Sequence, residues 1–130
     1  MNTKLQAPAM ATARVLMALI FILSGLSKIG ATDAIRGYME AMGVPGVLLW
    51  PTIAFEIVAG LLVALGYQTR IIALLLSGFC LVSAVIFHHQ FADQIQMIMF
   101  LKNIAMAGGF LLLTCVGPGS LSLDAKWGRA

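Results

Sequence analysis

Glu56 lies near the middle of an apolar run, residues 51–66 (PTIAFEIVAGLLVALG), which forms most of a bilayer crossing. An ionised carboxylate in hydrocarbon is costly unless it is paired, protonated or wetted. Residues able to partner it stand in or beside other apolar runs: Arg14, Lys28, His88, His89 and Lys102. An acid, one or two ammonium groups and an imidazole can pass protons or hold a polar head group. Glu56, Lys102 and His88 are therefore the candidates for proton transfer, with His88 as the outlet to the surface. Asn103 can donate a hydrogen bond to a ligand carbonyl, and Arg14, Lys28, Ser24 and Thr52 complete the candidate ligand set. A Glu56–Lys102 ion pair that merely fixes helix packing is an equally good reading, because buried pairs specify arrangement more than they add stability.

Other chemistries find little footing. His88 and His89 are adjacent rather than at the i, i+4 spacing of helical metal ligands, and no cysteine motif accompanies them, so no metal site is expected. On a helix the two rings point about 100° apart, so one of them faces inward. Cys80 falls near the middle of one apolar run and Cys115 at the end of another, depths that do not favour a disulfide. Phosphate-binding loops, nucleophile elbows and dinucleotide fingerprints are absent from the sequence.

The elements that must position these residues are membrane helices. The chain has 130 residues, 61% of them hydrophobic and 10% charged, which fits an all-α integral membrane protein and not a soluble domain. Spans are expected at about 9–29, 48–67, 71–91 and 95–116, in a single four-helix membrane domain covering 1–130. Arg14, Ala18, Phe21, Gly25 and Lys28 recur at three and four residues and share one face. Thr52, Glu56, Ala59, Gly60 and Val63 make a narrow, small face on the second span. Ser77, Cys80, Ala84 and His88 align on the third. Ala105 and Gly109 offer a small-residue contact on the fourth. Between the first two spans, Thr32 can cap a short amphipathic helix at 33–42, with Ile35, Tyr38, Met39 and Met42 on one side. It suits a helix lying at the membrane surface or lidding the bundle.

The net charge of +3 is small and reads as a topology signal, not as a nucleic-acid footprint. Lys4, Arg14, Arg70, Lys126 and Arg129 collect on one side and Lys28 and Arg36 on the other, which predicts cytoplasmic termini. Lys28, Glu56, His88 and Lys102 then fall in the outer half of the membrane.

The chain resembles the DoxX family of small bacterial inner-membrane proteins. The matching pieces are Arg14, then SGLSK at 24–28, YMEAMGVP at 38–45 and FEIVAGLLVALGYQTR at 55–70. HHQF at 88–91, LKNIAMAGGFLLL at 101–113 and GPGSLSLD at 117–124 follow in order. The resemblance implies a four-helix bundle in the bacterial inner (plasma) membrane. It marks Arg14, Gly25, Lys28, Glu56, Gly60, Gly66, Arg70, His88, Lys102, Asn103 and Gly109 as pattern positions. It also implies a redox setting, since relatives include a subunit linked to thiosulfate oxidation with quinone as acceptor and a component of a thiol-stress complex.

The function expected is that of a redox-associated accessory subunit interacting with a quinone or other lipophilic ligand, with no covalent cofactor. Its partners would be membrane lipids, a redox protein and a second copy of the chain, and not nucleic acid. An oligomeric transporter of small molecules or protons, and a membrane scaffold for another protein, are the alternatives.

Overall fold

Helix-forming apolar runs, separated by Gly, Pro and Asp turns, divide the chain into six helices. In the computed structural model, which describes residues 3–129, these are α1 (Thr3–Ile29), α2 (Thr32–Ala41), α3 (Leu49–Leu65), α4 (Thr69–Phe87), α5 (Gln94–Val116) and α6 (Leu123–Lys126). A 3-10 turn, Gly46–Leu48, leads into α3. Helices α1, α4 and α5, and α3 together with the turn before it (Gly46–Leu65), are each long and apolar enough to cross a membrane, and no strand occurs among the described residues.

Helix boundaries differ from the sequence expectation where side chains act on the backbone. Helix α1 begins at Thr3 and runs through Pro8, instead of starting at residue 9. The proline ring already holds a helical φ, and its missing N–H forfeits a single hydrogen bond. Thr32 is the first residue of α2 and not its cap; the cap position is Ala31, without a side-chain hydrogen bond. Helix α4 stops at Phe87 instead of 91, because its last carbonyls turn to side chains. Tyr38 donates its hydroxyl to the Phe87 carbonyl at 3.1 Å, and His89 Nδ1 lies 3.0 Å from the Val85 carbonyl. Asp93 then caps α5 by accepting from the Ile95 amide at 2.9 Å.

Packing builds two helix pairs, α1 with α3 and α4 with α5. The predicted stripe on α1 is its buried face, from Arg14 through Ala18, Phe21 and Gly25 to half-buried Lys28. Backbones approach closely between α1 and α3: a Cβ on Gly25 would come within 2.6 Å of Ile57, and one on Gly60 within 2.8 Å of Ile22. Helices α4 and α5 meet where Ser77 donates to the Ala107 carbonyl at 2.8 Å. Ala105 is exposed, so the expected Ala105–Gly109 contact is replaced. Ala107 faces α4 and Gly109 sits against Met17 of α1. A cluster of phenylalanines joins the pairs. Phe21 of α1 packs edge-on against Phe79 of α4 and Phe110 of α5, with ring centroids at 6.1 and 5.5 Å, and Phe55 of α3 lies 5.2 Å from Phe79. Large aliphatic side chains such as Leu16, Leu23, Leu74 and Leu112 face outward, as lipid contact requires.

At the end of the bundle holding both termini, three charged residues satisfy helix ends. Arg14 donates to the Val63 and Ala64 carbonyls at 3.2 and 3.0 Å, and to the Leu121 carbonyl. Arg70 donates to the Thr114 and Cys115 carbonyls at 2.9 and 2.6 Å. Asp124 accepts from the Gln68 and Thr69 amides at 2.8 and 2.9 Å, capping α4 from the far end of the sequence.

Candidate functional site

The phenylalanine cluster leaves a cavity of about 500 Å³ between the helix pairs. Ser24 and Lys28 enter from α1, Thr52 and Glu56 from α3, His88 from the end of α4, and Lys102 and Asn103 from α5. Every candidate residue except Arg14 thus lines one space. Phe21 and Phe79 also line it, and α2 contributes Ile35, Tyr38 and Met39. Ile20, Tyr38, Leu48 and Val82 line the cavity while remaining exposed, so it communicates with the exterior of the bundle.

Glu56 is 3% exposed, and its partner is Lys28 rather than Lys102. The Lys28 ammonium donates to Oε1 at 2.7 Å, Oε2 at 2.9 Å and Ser24 Oγ at 2.9 Å. All three ammonium donors are occupied, and both carboxylate oxygens are engaged. Such a pair bridges α1 and α3 and compensates the acid within the apolar interior. The Lys28 charge also suits the C-terminal turn of α1. Thr52 Oγ1 donates back to the Leu48 carbonyl at 2.8 Å, one turn earlier on the chain.

Lys102 and Asn103 are placed differently. Lys102 Nζ has Met99 Sδ at 3.5 Å, a weak acceptor, and no oxygen partner among the described residues. Asn103 is 8% exposed, and its amide has no hydrogen-bond partner among the described residues. The site therefore presents an ammonium and an amide to the cavity, beside an ion pair that is already complete. His88 faces the cavity at its rim, with Nδ1 3.1 Å from Gln96 Oε1, while His89 is exposed. Tyr38 stacks on Phe87 with centroids 5.5 Å apart and closes the same rim.

Arg14 lies apart from this cavity, 2% exposed among the carbonyls ending α3 and the loop before α6. Its engagement is structural in this arrangement. Two residues of consequence carry no chemical motif in the sequence: Tyr38, which lines the cavity, and Asp124, which caps α4. Tyr38 was visible as part of the apolar side of α2, whereas nothing in the local spacing connects Asp124 to residues 68 and 69. Cys80 and Cys115 are both free thiols, and no group of three or more acidic, histidine or cysteine side chains suited to a metal ion occurs among the described residues.

A family profile described as DoxX matches residues 9–89. Inner membrane protein YqjF of Escherichia coli (strain K12) is 44% identical over 128 residues, covering 95% of this chain and 98% of that protein. Inner membrane protein YphA of the same organism is 40% identical over 121 residues, covering 88% and 86%. "Putative oxidoreductase CatD" of Bacillus subtilis (strain 168) is 32% identical over 73 residues, covering 56% and 54%. No solved structure matches the chain. Lys102 and Asn103 lie beyond the profile match but within the reach of the YqjF and YphA similarity in length.

Proposed function

Because the chain belongs to the DoxX family and is a multi-pass inner-membrane protein, we propose that it is a redox-associated accessory subunit whose cavity takes the head group of a quinone or similar lipophilic molecule. The observation that carries this reading is the pair of Lys102 and Asn103, neither with an oxygen partner among the described residues, on the wall of a largely apolar cavity. An ammonium and a primary amide offer donors to head-group oxygens, and the apolar walls accept a ring or a hydrocarbon stem. The Glu56–Lys28 pair beside them can relay a proton, and His88 at the rim gives that proton a route outward. The similarity to a relative named as an oxidoreductase lends support to a redox setting. In this reading both termini lie in the cytoplasm, where Lys4, Arg70, Lys126 and Arg129 collect, and the cavity sits in the outer half of the membrane.

The test is organic extraction of the detergent-purified protein, with bound lipophiles identified by mass spectrometry. A stoichiometric quinone in the wild type, depleted in Lys102→Met and in Glu56→Gln, is the expected result. Bulk phospholipid alone, equal in all three proteins, would overturn the proposal.

A further inference from the structure

We infer that the cavity selects a lipophilic anion: a ligand with an ionised oxygen, held by the Lys102 ammonium and the Asn103 amide. The inference rests on the same site as the quinone reading and adds the charge of the occupant. The ionisable side chains lining the cavity are Lys28, Glu56, His88 and Lys102, with the Tyr38 phenol at the rim. Lys28 and Glu56 neutralise each other through two hydrogen bonds. That leaves Lys102 as a cation with a thioether in place of a counterion. No second carboxylate lines the space among the described residues.

A cation in an apolar environment without a partner is unfavourable, and a neutral ketone oxygen corrects the missing hydrogen bond but not the missing charge. An ionised oxygen corrects both, through a charge-assisted hydrogen bond. Asn103 as a residue is more than nine-tenths buried and its amide has no hydrogen-bond partner among the described residues, so its N–H donors are available to the same oxygen or a neighbouring one. The ion pair next door matters here. Because both Glu56 oxygens are taken by Lys28, the acid does not compete for Lys102, and the site keeps a net positive character. The ionised oxygen can come from a ring hydroxyl of an acidic hydroxyquinone or from the carboxylate of a fatty acid; the chemistry recognised is the same.

The experiment measures binding of four probes to the full chain in mild detergent. They are an alkyl-substituted 2-hydroxy-1,4-naphthoquinone, its 2-methoxy ether, palmitate and methyl palmitate. The expected result is binding of the ionised hydroxyquinone about tenfold tighter than its ether, the scale of one charge-assisted hydrogen bond. In Lys102→Met this preference should fall to within about twofold, while Lys102→Arg retains it. Asn103→Ala should weaken both naphthoquinones. Equal binding of hydroxyquinone and ether to the wild type overturns the inference and leaves the quinone reading standing. Binding of palmitate but not of methyl palmitate or either naphthoquinone upholds the anion and overturns the quinone. Binding of none overturns both. Thermal unfolding of each variant, run in parallel, identifies loss of binding that is merely loss of fold; Lys102→Gln, with the same loss of preference expected, carries the test if Lys102→Met does not fold.

Discussion

Lys28 places its three N–H donors on Ser24 and the two oxygens of Glu56, and this decides how the two lysines respond to removal. In Lys28→Met the Glu56 carboxylate stays buried without its cation. Breaking a buried pair from one side costs roughly 3–5 kcal/mol, and the partial exposure of Lys28 puts this case at the lower end. Thermal unfolding in detergent should show that loss, and the double variant Lys28→Met/Glu56→Leu should recover most of it. A double variant as unstable as the single one would contradict the pairing. Lys102→Met should behave in the opposite way, with stability unchanged or raised, because it removes a cation that has no oxygen partner among the described residues. That Glu56 needs a cation was legible in the sequence. Which cation it takes was not. Lys28 and Lys102 both line the cavity that Glu56 faces, so the choice depends on how their helices are rotated in the packed bundle.

Helices α1 and α3 close on each other through glycines, so side-chain volume at their contact is the sensitive quantity. A Cβ at Gly25 would lie 2.6 Å from Ile57 Cγ1 and 3.3 Å from the Ile53 carbonyl oxygen. The isoleucine can turn, but the carbonyl belongs to the helix backbone. Gly25→Val should therefore lower stability by about 1–3 kcal/mol, the usual scale of overpacking. It should also weaken the Lys28–Glu56 bridge, which spans the same two helices. Gly78 on α4 has nothing within 4 Å of its would-be Cβ. Gly78→Ala should stabilise by about 0.5–1 kcal/mol through helix propensity. A Gly25→Val protein that melts at or above the wild-type temperature would refute the α1–α3 contact. The helical stripes on the first three spans were readable because 3.6-residue periodicity is a local property, whereas on the fourth Ala105 turned out exposed and Ala107 took the contact. Helix ends were read less well, since Tyr38, His89 and Asp124 act on carbonyls and amides far away or on the next turn.

Across the whole molecule, the termini end is tied by polar contacts and the opposite end holds the cavity. Burial pushes the Asp124 carboxyl up, but hydrogen bonds from Thr69, Gln68 and Arg129 outweigh it and hold the group below its ordinary value. A carboxyl depressed by folding stabilises the fold above its unfolded value, near pH 4, and that contribution is lost as pH falls through the folded value. Asp124→Asn should thus be less stable than the wild type by about 1–2 kcal/mol at pH 7, and the difference should shrink below about pH 4. Unfolding curves that stay equally far apart at pH 7 and pH 3 would count against Asp124 as an ionised cap. Packing of Gly119 against Met10, and of Leu121 against Arg14, puts both termini on one side. A membrane-impermeant thiol reagent should label a cysteine introduced at Ala41, but not one at Arg129, in intact cells carrying Cys80→Ala and Cys115→Ser. The reverse pattern would invert the proposed orientation.

Residue types and their periodicity were enough for the membrane class, the four spans, the buried stripes of the first three and the set of polar residues that must find partners in hydrocarbon. Those follow from transfer free energy and helical periodicity, which act residue by residue and turn by turn. Helix packing settles that Lys28 takes Glu56, that Arg14 belongs to the helix ends at the far side, and that Lys102 and Asn103 are left facing an open cavity. Pairing depends on the relative rotation and spacing of separate helices. That geometry comes from the close approach at Gly25 and Gly60 and from the phenylalanine cluster, contacts between residues distant in the chain.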